Sequence, residues 1–437
     1  MSKIHSRRVV HGLAALGLMV ALGACDNLLG VDNYGAIDDE NVTDPAFIPE
    51  MVNATVSAFQ EKFGLLVFAG ALLSDEAVNG HNFEQWQDID LRIIDHENTM
   101  IRDIYRAAQT ARGTGEDMVS RLREVLESPS TSIELATALT YTGYAYIQLG
   151  EYFCYSPIEG FGAAVESDGI LAVAVERFEE AISILEELNG DKAEQMLNLA
   201  RVGAARASLQ QGKYDDAIAF ATPVPEDFTA WIRHAESPTD LRNYLSSATK
   251  GTNQSIGVDV AFRGLNDTRV RHAAEPVTGH NQKTQLWTPY QSASYSEWSA
   301  DGESVTIDNT TSIRLASGLE ARYIIAEAGG MSDGELRAFI DERRAVGGHG
   351  AYTGADLRAE LREQRRRDFF LDGHRLGDLR RYRRLHGVDF FPTGPHPNDA
   401  AWGWGSYSTA TCFVPHREEK ESNPNYTPLG DPIDPIG

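Results

Sequence analysis

Apolar residues recur at helical spacing along most of this chain. Ile101–Leu126, Ile133–Leu149, Leu171–Leu188, Lys192–Gln211 and Tyr214–Ala221 each place them three and four positions apart, the first segment with an interruption near Gly113 and Gly115. Asp44-Pro45 is a helix-start signal, a capping carboxylate before a proline with no N–H to leave unpaired, and it predicts a helix to about Lys62. Helical periodicity returns at Ser312–Ala328, Gly334–Ala345 and Ala355–Asp372. Between these blocks, residues 223–312 lose it. Thr, Ser, Asn, Gln and aromatics rise there, and Thr284–Tyr290 and Ser304–Ile307 read as short strands between long loops. Residues 387–437 are rich in Pro and Gly and read mostly as loop. The expectation is a mainly α protein: a helical scaffold over 44–222, an irregular loop-rich subdomain over 223–312, and C-terminal helices and loops over 313–437.

Two helix ends look alike. Ala145, Gln148, Gly150 and Tyr152 parallel Ala207, Gln210, Gly212 and Tyr214 at a constant offset of 62. A small residue lets paired helices approach, Gly turns the chain, and Tyr opens the next helix. These are features of tetratricopeptide-like helix pairs. The offset exceeds one such unit, so an insertion is expected, and residues 155–170, rich in Gly and Ser, could supply it.

The first residues change the picture of where the chain works. Lys3, Arg7 and Arg8 precede an apolar run from Gly12 to Ala24. A spanning helix needs about 20 apolar residues, so this shorter run reads as a secretory signal. It ends at Leu22-Gly23-Ala24-Cys25, which resembles the bacterial lipobox, where the cysteine is diacylated and becomes the new N-terminus. Residues 1–24 are then the signal, Cys25 the lipid anchor and 25–43 a polar tether. Two acyl chains give stable membrane attachment without a spanning helix. Loss of the signal leaves 36 basic and 64 acidic residues, a net charge of −28. Such a chain repels phosphate backbones, which argues against a nucleic-acid partner. Beyond Cys25 only Cys154 and Cys412 remain, and an even pair in an exported protein favours a disulfide.

The last third carries an ordered set of motifs: Ile313-Arg314-Leu315, then Glu320–Ala328, then Ile340–Arg344, then Leu361–Arg381 with its Asp372-Gly373-His374-Arg375 turn and Asp378-Leu379-Arg380 segment. This order resembles the SusD/RagB family of nutrient-binding outer-membrane lipoproteins. Pro415 and Asn423-Pro424 fit that family's tail. Gln364, Asp368, Asp372 and Gly377 depart from the residues usual at their positions, and Ala316-Ser317-Gly318 interrupts the first block. The resemblance implies a tetratricopeptide-like fold, no cofactor, a lipid-anchored place at the outer-membrane surface, and delivery of a ligand to a SusC-like TonB-dependent transporter.

The Leu361–Arg381 block also reads on its own terms. Thr353 and Asp356 resemble a capping box, Glu363 can reach Arg367 one turn on, and Gly373 is a natural stop. Ten arginines and five acidic residues fall between 358 and 384, which suggests a charge-paired scaffold. His374 is expected to serve structural hydrogen bonding. No zinc-protease, nucleophile-elbow, phosphate-loop or dinucleotide motif occurs, and no His/Cys cluster has metal-ligand spacing.

The ligand-binding candidates are aromatics and amides on loops, since rings stack on sugar C–H faces and amides bond hydroxyls. One set is Asn82 and Trp86, with Gln85. The other is Trp287, Tyr290, Tyr295 and Trp298. Trp402 and Trp404, between glycines, form a third. The ligand could be an oligosaccharide or a peptide. A secreted glycan-active hydrolase and a periplasmic helical-repeat scaffold are the competing readings.

Overall fold

The computed structural model describes residues 44–250, 254–290 and 306–430. The chain divides into a unit Met1–Phe47, of which the single 3-10 turn Pro45–Phe47 is described, and a body Ile48–Gly437. In the body the helices run α1 (Ile48–Glu61), α2 (Phe63–Leu73), α3 (Glu84–Asp90), α4 (Thr99–Val125), α5 (Ile133–Tyr152), α6 (Ser167–Leu185), α7 (Asp191–Gln210), α8 (Tyr214–Ala221) and α9 (Tyr244–Ala248). The last third adds α10 (Gly318–Ala328), α11 (Asp333–Val346), α12 (Leu357–Asp368), α13 (Arg375–His386), α14 (Asp399–Trp402) and α15 (Arg417–Ser422). The described strands form four antiparallel two-stranded pairs: β1 (Ala77–Asn79) with β5 (Ile256–Val258), β2 (Tyr155–Pro157) with β3 (Ala164–Glu166), β4 (Thr229–Ile232) with β8 (Ile313–Ser317), and β6 (Val277–Thr278) with β7 (Gln285–Leu286). The architecture is mainly α and tetratricopeptide-like.

Helices α4 to α8 stack each on the next, and α10 continues the stack against α8. Phe178 of α6 is the wedge at its centre. It is fully buried, and a Cβ added at Gly143 of α5 or Gly203 of α7 would come within 2.7 and 2.3 Å of its ring. The two glycines therefore exist to admit the ring between their helices. Gly115 does the same between α4 and α5, where a Cβ would lie 2.4 Å from Thr142 Oγ1. This corrects the expected interruption: α4 runs unbroken through Gly113 and Gly115, because close approach, not chain reversal, is what Gly115 provides.

The 62-residue parallel holds only in part. Gly212 takes a left-handed φ of +74° and Tyr214 opens α8, but Gly150 and Tyr152 lie inside α5, with Leu171 packed where a Gly150 side chain would be. The β2–β3 hairpin follows. Two further corrections concern helix limits. Ile313–Ser317 is a strand, paired to β4, and the helix starts only at Gly318, because a Cβ there would collide with the Pro225 carbonyl oxygen at 2.1 Å and Ser317 caps Glu320 N. The Ala355–Asp372 helix is Leu357–Asp368, capped by Asp356 rather than by a Thr353 box.

Two helices have no periodicity to read. α2 is apolar all round, with ten of its eleven residues buried, so no polar face marks it. α13 is arginine-rich, and two of its arginines serve helix ends. Arg380 donates to the carbonyls of Gly150, Glu151 and Phe153, and Arg384, one turn on, reaches the Gln210 carbonyl. One helix thus caps the C-termini of both α5 and α7, where the helix dipole is negative.

The charged block is paired and buried. Arg365 meets Asp378 at 2.7 Å, Arg381 meets Glu327 at 2.7 Å, Arg375 meets Asp75 at 2.6 Å, and Arg343 meets Asp368 at 2.7 Å. His374 lies between Asp372 (2.7 Å) and Glu320 (3.3 Å), and Glu320 is also held by Arg206 at 2.6 Å. Burial alone would raise the Glu320 carboxyl, but Arg206 and His374 outweigh it and hold it well below the ordinary range. This is internal scaffolding, with both members of each pair desolvated together.

Candidate functional site

Three loops converge beside the β1–β5 pair. The sequence draws them together with glycine: a Cβ at Gly80, Gly257 or Gly279 would come within 2.3 to 2.9 Å of Leu286, so all three backbones close around one buried leucine. Gly80 N donates to Ser255 O at 2.9 Å, and Asn281 N donates to Gly80 O at 2.8 Å. The third loop, around residues 394–407, is pinned from below. The buried Arg92 donates to the carbonyls of Pro392, Thr409 and Ala410 at 2.7 to 2.9 Å, and His396 Nε2 lies 3.2 Å from Asp90 Oδ2. Asn398 Nδ2 reaches Thr284 Oγ1 at 3.4 Å and ties this loop to the second.

At the meeting of the first two loops, His81 and His280 stand edge to face with ring centres 5.0 Å apart. Phe83 packs on His81 at 4.3 Å and is 48% exposed. His81 Nδ1 accepts from Phe83 N at 3.1 Å, which leaves the ring proton on Nε2. Burial and then the neighbouring His280 lower the His81 pKa, so the imidazole is neutral at pH 7. In the third loop His396 lies between the rings of Trp404 (4.8 Å) and Tyr407 (4.9 Å). The result is a surface of rings and amides on a rigid base.

Beneath it lies a buried acidic layer. Glu76 is pushed up to about 8 by burial, against the pull of the Leu371 N–H, with Asp372 raising it further. Asp259 rises to about 7, again through burial first, with Asp90 and Asp75 adding to it.

Asn82 is exposed in the first loop, between His81 and Phe83. Trp86 does not join it. It lies in α3, 2% exposed, edge-on to Phe68 at 4.7 Å, and is a core residue, which corrects its reading as a loop aromatic. Trp287 stands half-buried at the base of the β6–β7 hairpin whose tip carries His280. One face of its ring is covered by the Arg263 guanidinium at 4.0 Å. Tyr290 is half-buried and bonds through its backbone to Arg271 O at 2.9 Å. Tyr295, Trp298 and Cys25 lie outside the described residues. Cys154 and Cys412 are bonded, with Cα atoms 5.2 Å apart.

Sequence reasoning passed over His81, Phe83, His280, His396 and Tyr407. A signal was present: the tripeptide Gly-His-Asn occurs twice, as Gly80-His81-Asn82 and Gly279-His280-Asn281, and the two copies meet. The third loop carries no such mark.

No protein-family model and no curated protein matches the sequence. Solved structures do match its fold. A surface glycan-binding protein A from Bacteroides uniformis aligns at a TM-score of 0.66 and 15% identity, covering 87% of this chain and 98% of its own. A laminarin binding SusD-like protein aligns at 0.63 and 14%, covering 88% and 98%. A SusD superfamily protein from Bacteroides vulgatus aligns at 0.59 and 15%, covering 88% and 98%. The fold of this chain is the SusD fold, from end to end of those proteins.

Proposed function

We propose that this SusD-fold chain binds oligosaccharides at the bacterial surface for nutrient uptake, without processing them, and passes them to a SusC-like TonB-dependent outer-membrane transporter. The observation that carries the reading is the fold shared over nearly the whole length of proteins named for glycan and laminarin binding. The loop surface agrees with it. The neutral His81 imidazole, the exposed Phe83 ring and amides offer both ring faces and hydrogen bonds, on loops held by a rigid base. Trp287 belongs to the same reading, with the ring face opposite Arg263 as the stacking face. Asn82, Tyr290, Tyr295 and Trp298 are the other contacts proposed. Cys25 holds the chain to the membrane through its acyl groups.

The test is isothermal titration of the purified chain against an oligosaccharide panel, with His81→Ala, Trp287→Ala and Trp298→Ala alongside. Losing a central ring contact costs about 2 kcal/mol, so each variant weakens binding roughly thirtyfold with little change in melting temperature. Unchanged affinity in all three would sink the site, and cleavage of the sugar would sink the non-enzymatic reading.

A further inference from the structure

A cleft of about 690 Å³ runs along the seam between the helical scaffold and residues 239–247, a volume within the range of ligand pockets. Its floor is built from the core outward. A Cβ at Gly64 of α2 would lie 3.1 Å from Tyr244 N and 3.2 Å from Tyr244 Cβ, so the missing side chain lets α2 ride against α9. That approach seats the Tyr244 ring edge-on to Phe68 at 5.3 Å, and Phe68 in turn meets Trp86 at 4.7 Å. The half-buried Tyr244 is thereby fixed from below. Burial, and then the charge of Asp103, raise its hydroxyl pKa, so it stays a hydrogen-bond donor through neutral pH.

The walls are equally set. Asn243 caps Leu245 N at 2.9 Å and donates to Thr311 O at 2.8 Å, while Ser246 Oγ donates to Asn309 Oδ1 at 2.9 Å. Asp103, paired with Arg102 at 3.0 Å, and Arg106, paired with Glu418 at 2.6 Å, line the opposite wall one turn apart on α4, together with the apolar Leu65 and Met100.

We propose that this cleft is a second carbohydrate site, which holds a neutral oligosaccharide independently of the loop surface. The inference rests on the carbohydrate reading above. Polar side chains such as Asp103, Arg106 and Ser247 line the cleft together with the Tyr244 ring and apolar Leu65 and Met100, the combination that a sugar ring with C–H faces and hydroxyls satisfies. A peptide added as a strand needs a free sheet edge, and the cleft is lined by helices and turns alone. A helical peptide needs a continuous apolar trough, and here charged residues stand along the walls.

The experiment titrates the full chain with a panel of neutral gluco-, manno-, galacto- and xylo-oligosaccharides. Asp103→Asn, Tyr244→Phe and the cleft-filling Ser247→Trp are compared with Trp287→Ala, each checked by thermal melting. The expected result is two binding steps for the sugar that binds, one of them weakened about tenfold or more by each cleft variant that folds and left intact by Trp287→Ala. A single step, lost in Trp287→Ala and indifferent to all three cleft variants, would overturn the second site and leave the first. A panel in which no sugar binds would overturn both. A parallel peptide panel whose binding, unlike that of any sugar, is lost in Ser247→Trp would overturn the carbohydrate assignment of the cleft.

Discussion

Glu76→Gln isolates the buried acidic layer. Glu76 is 1% exposed, and its Oε1 accepts from Leu371 N at 2.9 Å, a residue held at φ +57°. Its carboxyl rises from an ordinary 4.5 to about 8, with burial the largest cause. A carboxyl that holds its proton more tightly in the folded chain stabilises the fold while protonated, and that contribution fades as pH rises from 4.5 through about 8. At ~1.36 kcal/mol per tenfold change in proton affinity, this single group removes on the order of 3 kcal/mol of stability between about pH 5 and about pH 8. Glutamine keeps the shape and the acceptor oxygen but cannot ionise. Urea unfolding at several pH values across that interval is the assay. The expected outcome is a wild type that loses stability faster than Glu76→Gln as pH rises, the two curves separating by roughly 3 kcal/mol over that span. Parallel curves would refute the argument, because they would mean Glu76 ionises freely in the folded chain.

Phe178→Ala should destabilise the stack by about 3–5 kcal/mol, read from denaturant melts, because the space between Gly143 and Gly203 cannot collapse onto a methyl group. Glu320→Gln leaves Arg206 and His374 buried without their shared carboxylate and should cost about 3–5 kcal/mol by the same measurement. Cys25→Ser should release the chain from the membrane fraction, as read by fractionation and lipid labelling; a variant that stays membrane-bound would remove the anchor from the proposal.

The scaffold was legible because its helices are half-buried and alternate apolar with polar faces, as α6 and α7 do. α2 escaped for the opposite reason, since a helix wetted on no side has no period. α13 escaped because Arg375, Arg380 and Arg381 turn toward helix ends and carboxylates that only the fold brings near. The strand at Ile313–Ser317 is buried at every position and shares its composition with a buried helix segment; its pairing with residues 229–232 decides it. Within the site, Trp86 shows the limit of residue type as evidence: its polar neighbours in sequence lie on the outer face of α3, while its own ring points at Phe68. The loops failed to declare themselves because their shared surface depends on Leu286, which also holds the far Gly80, and on Arg92, distant in sequence from what it holds.

The bond between Cys154 and Cys412 joins the end of α5 to a segment 258 residues further on, and Phe413 N also donates to Tyr152 O beside it. Most of the body lies inside that covalent ring. A protease that cuts once at any exposed turn between the two cysteines therefore produces no separate fragment. The nicked molecule still migrates as one species until it is reduced, and its two strands remain registered by the helix stack that bridges the cut. Such closure turns a severed backbone into a survivable injury.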